Sequence, residues 1–132
     1  GGSEMPSSID TVNNKLNYYK MNGKAVYNTA IKVLPKAINQ VLADTGLSIE
    51  DIDFMIPHQP SIGILKKTAE IIGLPFEKVM TNMDKYANTS GGTIPILLDE
   101  LNKTKKLKKG NTILFAAVGS GWTYGASIIK WS

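Results

Sequence analysis

Apolar residues recur every three or four positions in three stretches of the chain, which is the spacing of a helix with one buried face. The first stretch runs from Gly23 to Asp44 and the second from Pro60 to Gly73, whereas the third follows a polar loop, Tyr86–Thr93. The pattern predicts three helices that share a core. The repeating positions are Val26, Ala30, Val33, Ala37 and Val41; Ile62, Leu65, Ala69 and Ile72; and Ile94, Leu97, Leu98 and Leu101.

The first helix is expected to be heavily buried, because further apolar residues widen its face. It contains Pro35, which predicts a kink. Gly46 and Gly73 follow the last periodic residues of the first two helices and are typical C-caps. The widening residues are Ile31, Leu34, Ile38 and Leu42.

Four short apolar runs outside the helices are interpreted as strands, at 52–57, 79–83, 112–118 and 123–131. Only Gly119–Gly121 and one further residue separate the last two runs, so these must form an antiparallel hairpin. Strands that alternate with helices predict an α/β fold with a mixed sheet packed against helices. Residues 1–22 show no clean period and are interpreted as a loop or N-terminal extension that precedes a domain at 23–132.

Composition narrows the function classes. The 132 residues include no cysteine, which excludes disulfides, a cysteine nucleophile and a thiolate metal site within this polypeptide; no metal is expected. The net charge of +4 comes largely from Lys103–Lys109, which has no interleaved aromatic residues, so we expect a solvated turn and no nucleic-acid partner. No run is apolar enough to span a bilayer and no signal peptide is visible, so no membrane contact and a cytoplasmic location are expected.

Candidate chemistry centres on His58, the single histidine of the chain, which follows the first predicted strand between Pro57 and Pro60. The loops Asn88–Gly92 and Gly119–Gly121 should reach the same sheet edge, because ligand sites in open α/β sheets lie beyond the carboxyl ends of strands. A neutral imidazole, an amide and glycine backbone N–H groups would suit an oxygen that gains negative charge. Taken singly, the asparagine loop could equally be a helix cap and the glycine loop a hairpin turn.

Five motifs in order resemble the C-terminal half of the β-ketoacyl-acyl-carrier-protein synthase III family, from about Met21 to the C-terminus. The resemblance implies a thiolase-like fold. The motifs are Met21–Gly23, Pro57-His-Gln59, Tyr86-Ala-Asn-Thr-Ser90, Leu97-Leu-Asp-Glu100 and Gly119-Ser-Gly-Trp-Thr-Tyr-Gly125.

The resemblance also implies a reaction. In that family a Cys–His–Asn triad condenses an acyl group from coenzyme A with malonyl-acyl-carrier protein and releases carbon dioxide. The histidine and asparagine correspond to His58 and Asn88, and the backbone of Gly119 and Ser120 would help form the oxyanion hole. The cysteine belongs to an N-terminal half that this chain lacks, so the chain alone is expected to be inactive. His58 is expected to be a neutral Nε2–H donor.

Further residues are expected to contact substrate or carrier protein. Gln59 and Ser61 follow the histidine, and Gly63 stands where the family commonly has an arginine. Lys66 and Lys67, one turn further along, could replace that arginine as point charges for phosphopantetheine or an acidic carrier protein. A solvated helix face is the alternative interpretation of the two lysines.

The resemblance therefore implies partners but no permanently bound cofactor, because coenzyme A and phosphopantetheine thioesters would be substrates. The expected partners are acyl-carrier protein, acyl-coenzyme A, the N-terminal half and, for the complete protein, a second copy in a homodimer. Two alternatives stay open. One is a coenzyme A-dependent acyltransferase or ketosynthase of secondary metabolism, and the other is a non-catalytic α/β binding fragment.

Overall fold

The computed structural model describes residues 3–132; Gly1 and Gly2, the start of the predicted N-terminal loop, lie outside the described residues. Five helices and three strands follow one another in the described part, with short 3-10 turns at Ile49–Asp51, Phe76–Lys78 and Ser90–Gly92. The longer elements are α1 (Ile9–Asn13), α2 (Gly23–Thr45), β1 (Phe54–Pro57), α3 (Ile62–Ile72), α4 (Met83–Tyr86), α5 (Thr93–Lys103), β2 (Thr112–Gly119) and β3 (Thr123–Lys130).

The three strands form one mixed sheet in the order β1-β2-β3. β1 runs parallel to β2, with Phe54 opposite Ile113. β2 and β3 form an antiparallel hairpin, with Thr112 opposite Lys130 and Gly119 opposite Thr123. The predicted α/β class, mixed sheet and terminal hairpin are confirmed.

Helices cover both faces of the central strand, β2. Successive side chains of a strand point to opposite faces of the sheet, so neighbouring β2 residues join different clusters. Leu114 and Ala116 join a large cluster with α2 and α3. Ile113 joins a second cluster with Ile56 and with α5. The domain is therefore three layers deep at β1 and β2, and the ends of these strands are held from both sides.

The predicted caps of the helices are present. Gly46 and Gly73 adopt left-handed conformations, with φ of 68° and 75°, at the ends of α2 and α3.

The buried face of α2 is a row of residues spaced by four, here called the seam, and Val33 and Val41 lie at its margins. α2 continues through Pro35, which is itself buried. The seam residues are Ala30, Leu34, Ile38 and Leu42.

Two predicted elements differ from the structure. The strand expected at 79–83 is reduced to a single parallel bridge between Val79 and Met55. After Met80, whose N–H bonds to the Met55 carbonyl at 2.8 Å, Asn82 bonds to side chains instead of continuing a ladder, and α4 begins at Met83. The first strand begins at Phe54 rather than Ile52, because the Ile52 N–H closes the preceding turn on Ile49.

Residues 3–22 contain one element that the sequence pattern did not predict. α1 is a short helix with a capping box, in which Ser8 and Thr11 bond reciprocally. Thr11 is the one buried residue between positions 3 and 22. The division of the chain at residue 22 stays a prediction.

Candidate functional site

A cleft of about 300 Å³ lies at the carboxyl ends of β1 and β2. All three predicted loops line it, two of them through His58 from the end of β1 and Gly119 from the end of β2. The third loop contributes Ser90 and Gly91, and Tyr124 of β3 closes one side. The topology thus brings together three segments that are far apart in the chain.

His58 is held at the end of β1 by its backbone and by its ring. Its N–H donates to the Ala116 carbonyl at 2.8 Å, which extends the parallel ladder by one residue beyond the strand. Its Nδ1 lies 2.7 Å from Oγ1 of Thr93, the first residue of α5. Burial lowers the pKa of the half-buried imidazole, and the Ser90 carbonyl opposes that shift in part. The neutral ring is therefore favoured near neutral pH.

Asn88 lies on the loop that borders the cleft, but it is exposed and is not among the residues that line the cleft. Its Oδ1 accepts the Ser90 N–H at 2.9 Å, which closes a local turn. The amide oxygen is thereby engaged, and the NH₂ group is the part of the side chain left to act as a donor. The loop that Asn88 shares with Ser90 thus reaches the His58 cleft.

The same loop contains backbone conformations that L-residues rarely adopt. Ala87 has φ 53° and ψ −146°, and Ser90 has φ 56°. Such positions cost about 1–3 kcal/mol each and persist only where surrounding contacts enforce them. Asn88 and Thr89 are therefore held between two strained residues at the rim of the cleft.

The two residues predicted to form the oxyanion hole differ in their position relative to the cleft. Gly119 lines the cleft, whereas Ser120 belongs to the three-residue connection of the β2–β3 hairpin and is not among the lining residues. Gly121 and Trp122 both have positive φ, 78° and 52°, which allows this short connection to reverse the chain. The hairpin-turn and backbone-donor interpretations are thus compatible in one segment.

The expected contact between Gln59 and substrate is not supported. The side chain is fully buried, with 0% exposure. Its Nε2 donates to the carbonyls of Pro57 and Met80 at 2.9 and 3.2 Å, and its Oε1 accepts the Asn82 N–H at 3.4 Å. Every polar atom of the amide is thus occupied inside the domain, so Gln59 positions the backbone next to His58.

The other predicted contacts lie at the N-cap and in the middle of α3. Ser61 is its N-cap, and its Oγ accepts the Ile64 N–H at 3.3 Å. Lys67 pairs with Glu70 at 2.6 Å, and Lys66 lies over the Phe76 ring, 5.7 Å from the centroid. Lys66 remains exposed. A role for these residues in binding carrier protein or phosphopantetheine stays a prediction.

Sequence reasoning missed a polar network around the Glu100 carboxylate. The Glu100 carboxylate accepts from Asn82 Nδ2 at 2.7 Å, from Lys85 at 3.2 Å and from the Tyr86 hydroxyl at 3.3 Å. The Asn82 bond is the main cause of the lowered pKa of Glu100. Because Asn82 also contacts Gln59, the network links the end of β1 to α4 and α5. The Leu-Asp-Glu motif was recognised in the sequence, but no sequence pattern indicated that Glu100 contacts Asn82.

Within residues 3–132, no three His, Cys, Asp or Glu side chains are grouped as a metal site would need. In the same part of the chain, no helix combines the length and the apolar character that crossing a bilayer demands.

Comparison with known proteins identifies the fold. Two solved structures superpose well on this chain. One is a 3-oxoacyl-[acyl-carrier-protein] synthase III from Aquifex aeolicus, with a TM-score of 0.84 and 37% identity over 86% of this chain and 37% of that one. The other, the corresponding Thermus thermophilus enzyme, has a TM-score of 0.81 and 34% identity over 86% and 35%. The domain is therefore one half of a thiolase-like fold.

Sequence relatives agree. A β-ketoacyl-[acyl-carrier-protein] synthase III from Caldanaerobacter subterraneus is 43% identical over 132 residues, which is 100% of this chain and 40% of that protein. The family described as 3-oxoacyl-[acyl-carrier-protein (ACP)] synthase III C terminal matches residues 42–131. The chain belongs to this C-terminal family. It spans about 40% of the length of the curated relatives it matches.

Proposed function

We propose that this chain forms the His- and Asn-bearing half of a β-ketoacyl-acyl-carrier-protein synthase III, which condenses an acyl group from coenzyme A with malonyl-acyl-carrier protein. The observation that carries the proposal is the shared cleft of His58 and Gly119 at the ends of two paired parallel strands. Membership of the synthase III C-terminal family supports the same assignment.

The first half-reaction needs a nucleophile that this cysteine-free chain does not contain. A cysteine thiolate on an N-terminal half would attack the thioester carbonyl of acyl-coenzyme A. The carbon–sulfur bond to coenzyme A breaks, coenzyme A leaves as a thiolate that takes up the proton which the cysteine thiol had released, and the acyl group stays on the cysteine. This step requires nothing of His58 or Asn88 beyond the shape of the cleft.

The second half-reaction uses the residues of this chain. The bond to the malonyl carboxylate breaks, carbon dioxide leaves, and the electron pair forms an enolate whose oxygen gains negative charge. Nε2–H of His58 and the Asn88 NH₂ group would donate to that oxygen. Fixed donors of this kind are worth about a hundred- to a thousand-fold in rate each. A neutral His58 suffices, which agrees with its lowered pKa.

The carbon–carbon bond then forms. The enolate carbon attacks the acyl-cysteine carbonyl, whose oxygen would accept backbone N–H groups of the Gly119–Gly121 turn. Collapse of this tetrahedral species expels the cysteine thiolate and leaves a β-ketoacyl thioester on the carrier protein. A turn of small residues suits this role, because it lets a thioester approach the backbone closely.

Separate measurement of the half-reactions tests the proposal in a protein that combines this chain with a cysteine-bearing N-terminal half. His58→Ala and Asn88→Ala should each slow carbon dioxide release from malonyl-acyl-carrier protein about a hundred-fold or more. Acylation of the cysteine by labelled acyl-coenzyme A should change little. Asn28→Ala, on the exposed surface of α2, is the matched control. Equal loss of both half-reactions would contradict the assigned roles.

The 132-residue chain alone supplies a second test. Incubated with acyl-coenzyme A and malonyl-acyl-carrier protein, it should yield no β-ketoacyl product, because it has no thiol to hold the acyl group. Product formed by the isolated chain would show that the acyl-cysteine route is wrong for this protein.

A further inference from the structure

One hydroxyl group contacts the imidazole of His58. Thr93 is the first residue of α5 and only 2% exposed, and its Oγ1 lies 2.7 Å from Nδ1 of His58. The same oxygen lies 3.1 Å from the Ser90 carbonyl oxygen. A hydroxyl has a single hydrogen, so it can donate to one of these two acceptors and not to both.

The two possible arrangements place the imidazole proton on different nitrogens. If Thr93 donates to Ser90, Nδ1 of His58 must carry the proton and Nε2 is bare. If Thr93 donates to Nδ1, the neutral ring carries its proton on Nε2. The choice therefore decides whether the ring nitrogen remote from Thr93 is a donor or an acceptor.

The distances favour donation to the imidazole. A hydroxyl donor most often lies about 2.7–2.8 Å from an oxygen acceptor, whereas an N–H donor most often lies about 2.9–3.0 Å from one. The 2.7 Å contact to His58 therefore fits an O–H donor, and the 3.1 Å contact to Ser90 is long for one.

The needs of the two acceptors allow the same arrangement. The Ser90 carbonyl already accepts the backbone N–H of Thr93, which closes the short 3-10 turn before α5. Within residues 3–132, Thr93 is the side chain that bonds to Nδ1 of His58. The carbonyl therefore has a donor in either arrangement, and the Thr93 hydroxyl is free to donate to Nδ1.

We propose that Thr93 is a positioning residue that donates its hydroxyl hydrogen to Nδ1 of His58 and so keeps the ring proton on Nε2. The assignment of the tautomer stands on geometry alone. Its catalytic consequence rests on the proposed function, because only an Nε2–H group can donate to the enolate oxygen from a neutral ring.

The single histidine makes the tautomer directly measurable in this chain. With ¹⁵N-labelled histidine at about pH 8, where the neutral ring predominates, the spectrum should show a protonated Nε2 and an unprotonated Nδ1. Thr93→Ser keeps the hydroxyl and should leave both chemical shifts in place. Thr93→Val has a similar shape without the hydroxyl, and its Nδ1 should take up proton in order to donate to the nearby Ser90 carbonyl.

Two results would overturn the inference. One is a proton on Nδ1 in the unmodified chain, which needs no variant and is unaffected if Thr93→Val fails to fold. The other is a folded Thr93→Val chain, verified by its melting transition, whose tautomer matches that of the parent.

Activity separates this inference from the proposed function. With the cysteine-bearing half present, Thr93→Val should lower kcat of malonyl decarboxylation about ten- to a hundred-fold with little change in KM, and Thr93→Ser should restore most of it. A tautomer that responds to Thr93 while decarboxylation does not would leave the inference standing and count against the proposed function.

Discussion

The imidazole of His58 is half-buried between the cleft and the first turn of α5, and burial lowers its pKa below the ordinary value of 6.5. This affects stability as well as chemistry. Between the folded and the ordinary pKa, the unfolded chain binds a proton that the native chain does not bind. The free energy of unfolding should therefore rise with pH across that window.

Lowering the pH from about 7.5 to about 5.5 should reduce the free energy of unfolding, with full stability above the ordinary pKa and progressive loss below it. Denaturant titrations at a series of pH values measure the effect. Because the chain has one histidine, no other histidine titrates in this window. His58→Gln should flatten the profile, and an unchanged slope in that variant would place the titrating group elsewhere.

Ala87 offers a second prediction at this scale. With φ 53° and ψ −146°, it occupies a region that suits glycine. Ala87→Gly should raise the free energy of unfolding by about 1 kcal/mol, because relief of strain exceeds the added entropy of the unfolded chain. The measurement is denaturant unfolding at neutral pH.

Ala43→Gly is the matched control, because Ala43 is exposed within α2. There the same change should destabilise by about 1 kcal/mol. A loss of stability at both positions would show that Ala87 is not strained in solution.

Sequence reasoning found His58 and its loop partners but could not assign the roles of their neighbours. From sequence alone, a polar residue such as Gln59 next to a catalytic candidate is interpreted as a substrate contact. Only the tertiary structure shows that its side chain points into the core. Thr93 was visible as the last residue of the polar loop before the third helix, yet its contact with His58 joins residues 35 positions apart. A local sequence pattern carries no information about contacts between residues so far apart in the chain.

At the scale of elements, Gln59 joins the end of β1 to the segment before α4. Gln59→Leu would remove the buried side-chain partner of the Pro57 and Met80 carbonyls and of the Asn82 N–H. An unmade buried hydrogen bond costs about 1–3 kcal/mol, so the variant should lose several kcal/mol in chemical denaturation.

Gln40→Leu is the control for the Gln59 variant. Gln40 is exposed on α2 and bonds only to Asp44. The same substitution there should change stability by less than about 0.5 kcal/mol. If Gln59→Leu were equally mild, the buried amide would not be what fixes the backbone beside His58.

The periodic helices and the hairpin could be predicted because local signals determine them. α2 and α3 combine an apolar face with a capping residue at each end, Asn22 and Gly46 for one and Ser61 and Gly73 for the other. The segment 79–83 was wrongly predicted as a strand because its apolar residues fit one. In the structure, the hydrogen bonds of Asn82 to Gln59 and Glu100 direct the chain away from the sheet. α1 was not predicted because five residues are too few to show a helical period of apolar positions.

At the scale of the molecule, the sheet has an open side. Within residues 3–132, β3 pairs only with β2, and most of its residues are exposed, including Ile129 at 38%. α5 covers the second face of β1 and β2 but not that of β3. An uncovered edge strand with apolar side chains is a template for pairing with another chain.

The isolated chain should therefore associate as its concentration rises, which light scattering after size-exclusion chromatography would detect. Ile129→Lys, on the uncovered face of β3, should reduce the association. Ile9→Lys is the matched control, because Ile9 is 80% exposed on α1, away from the sheet. A monomer at every concentration, or an effect of Ile9→Lys alone, would contradict association through β3.

The register of the sheet has a kinetic consequence. β2 and β3 are joined by a short connection, but Phe54 of β1 must find Ile113 across the whole segment that includes α3, α4 and α5. Closing so long a loop is slow, so the hairpin and the helices should form before β1 docks. His58 and Gly119 meet only when that docking is complete. Partly folded chains on the refolding pathway would thus have native-like helicity while still lacking the cleft that His58 and Gly119 line.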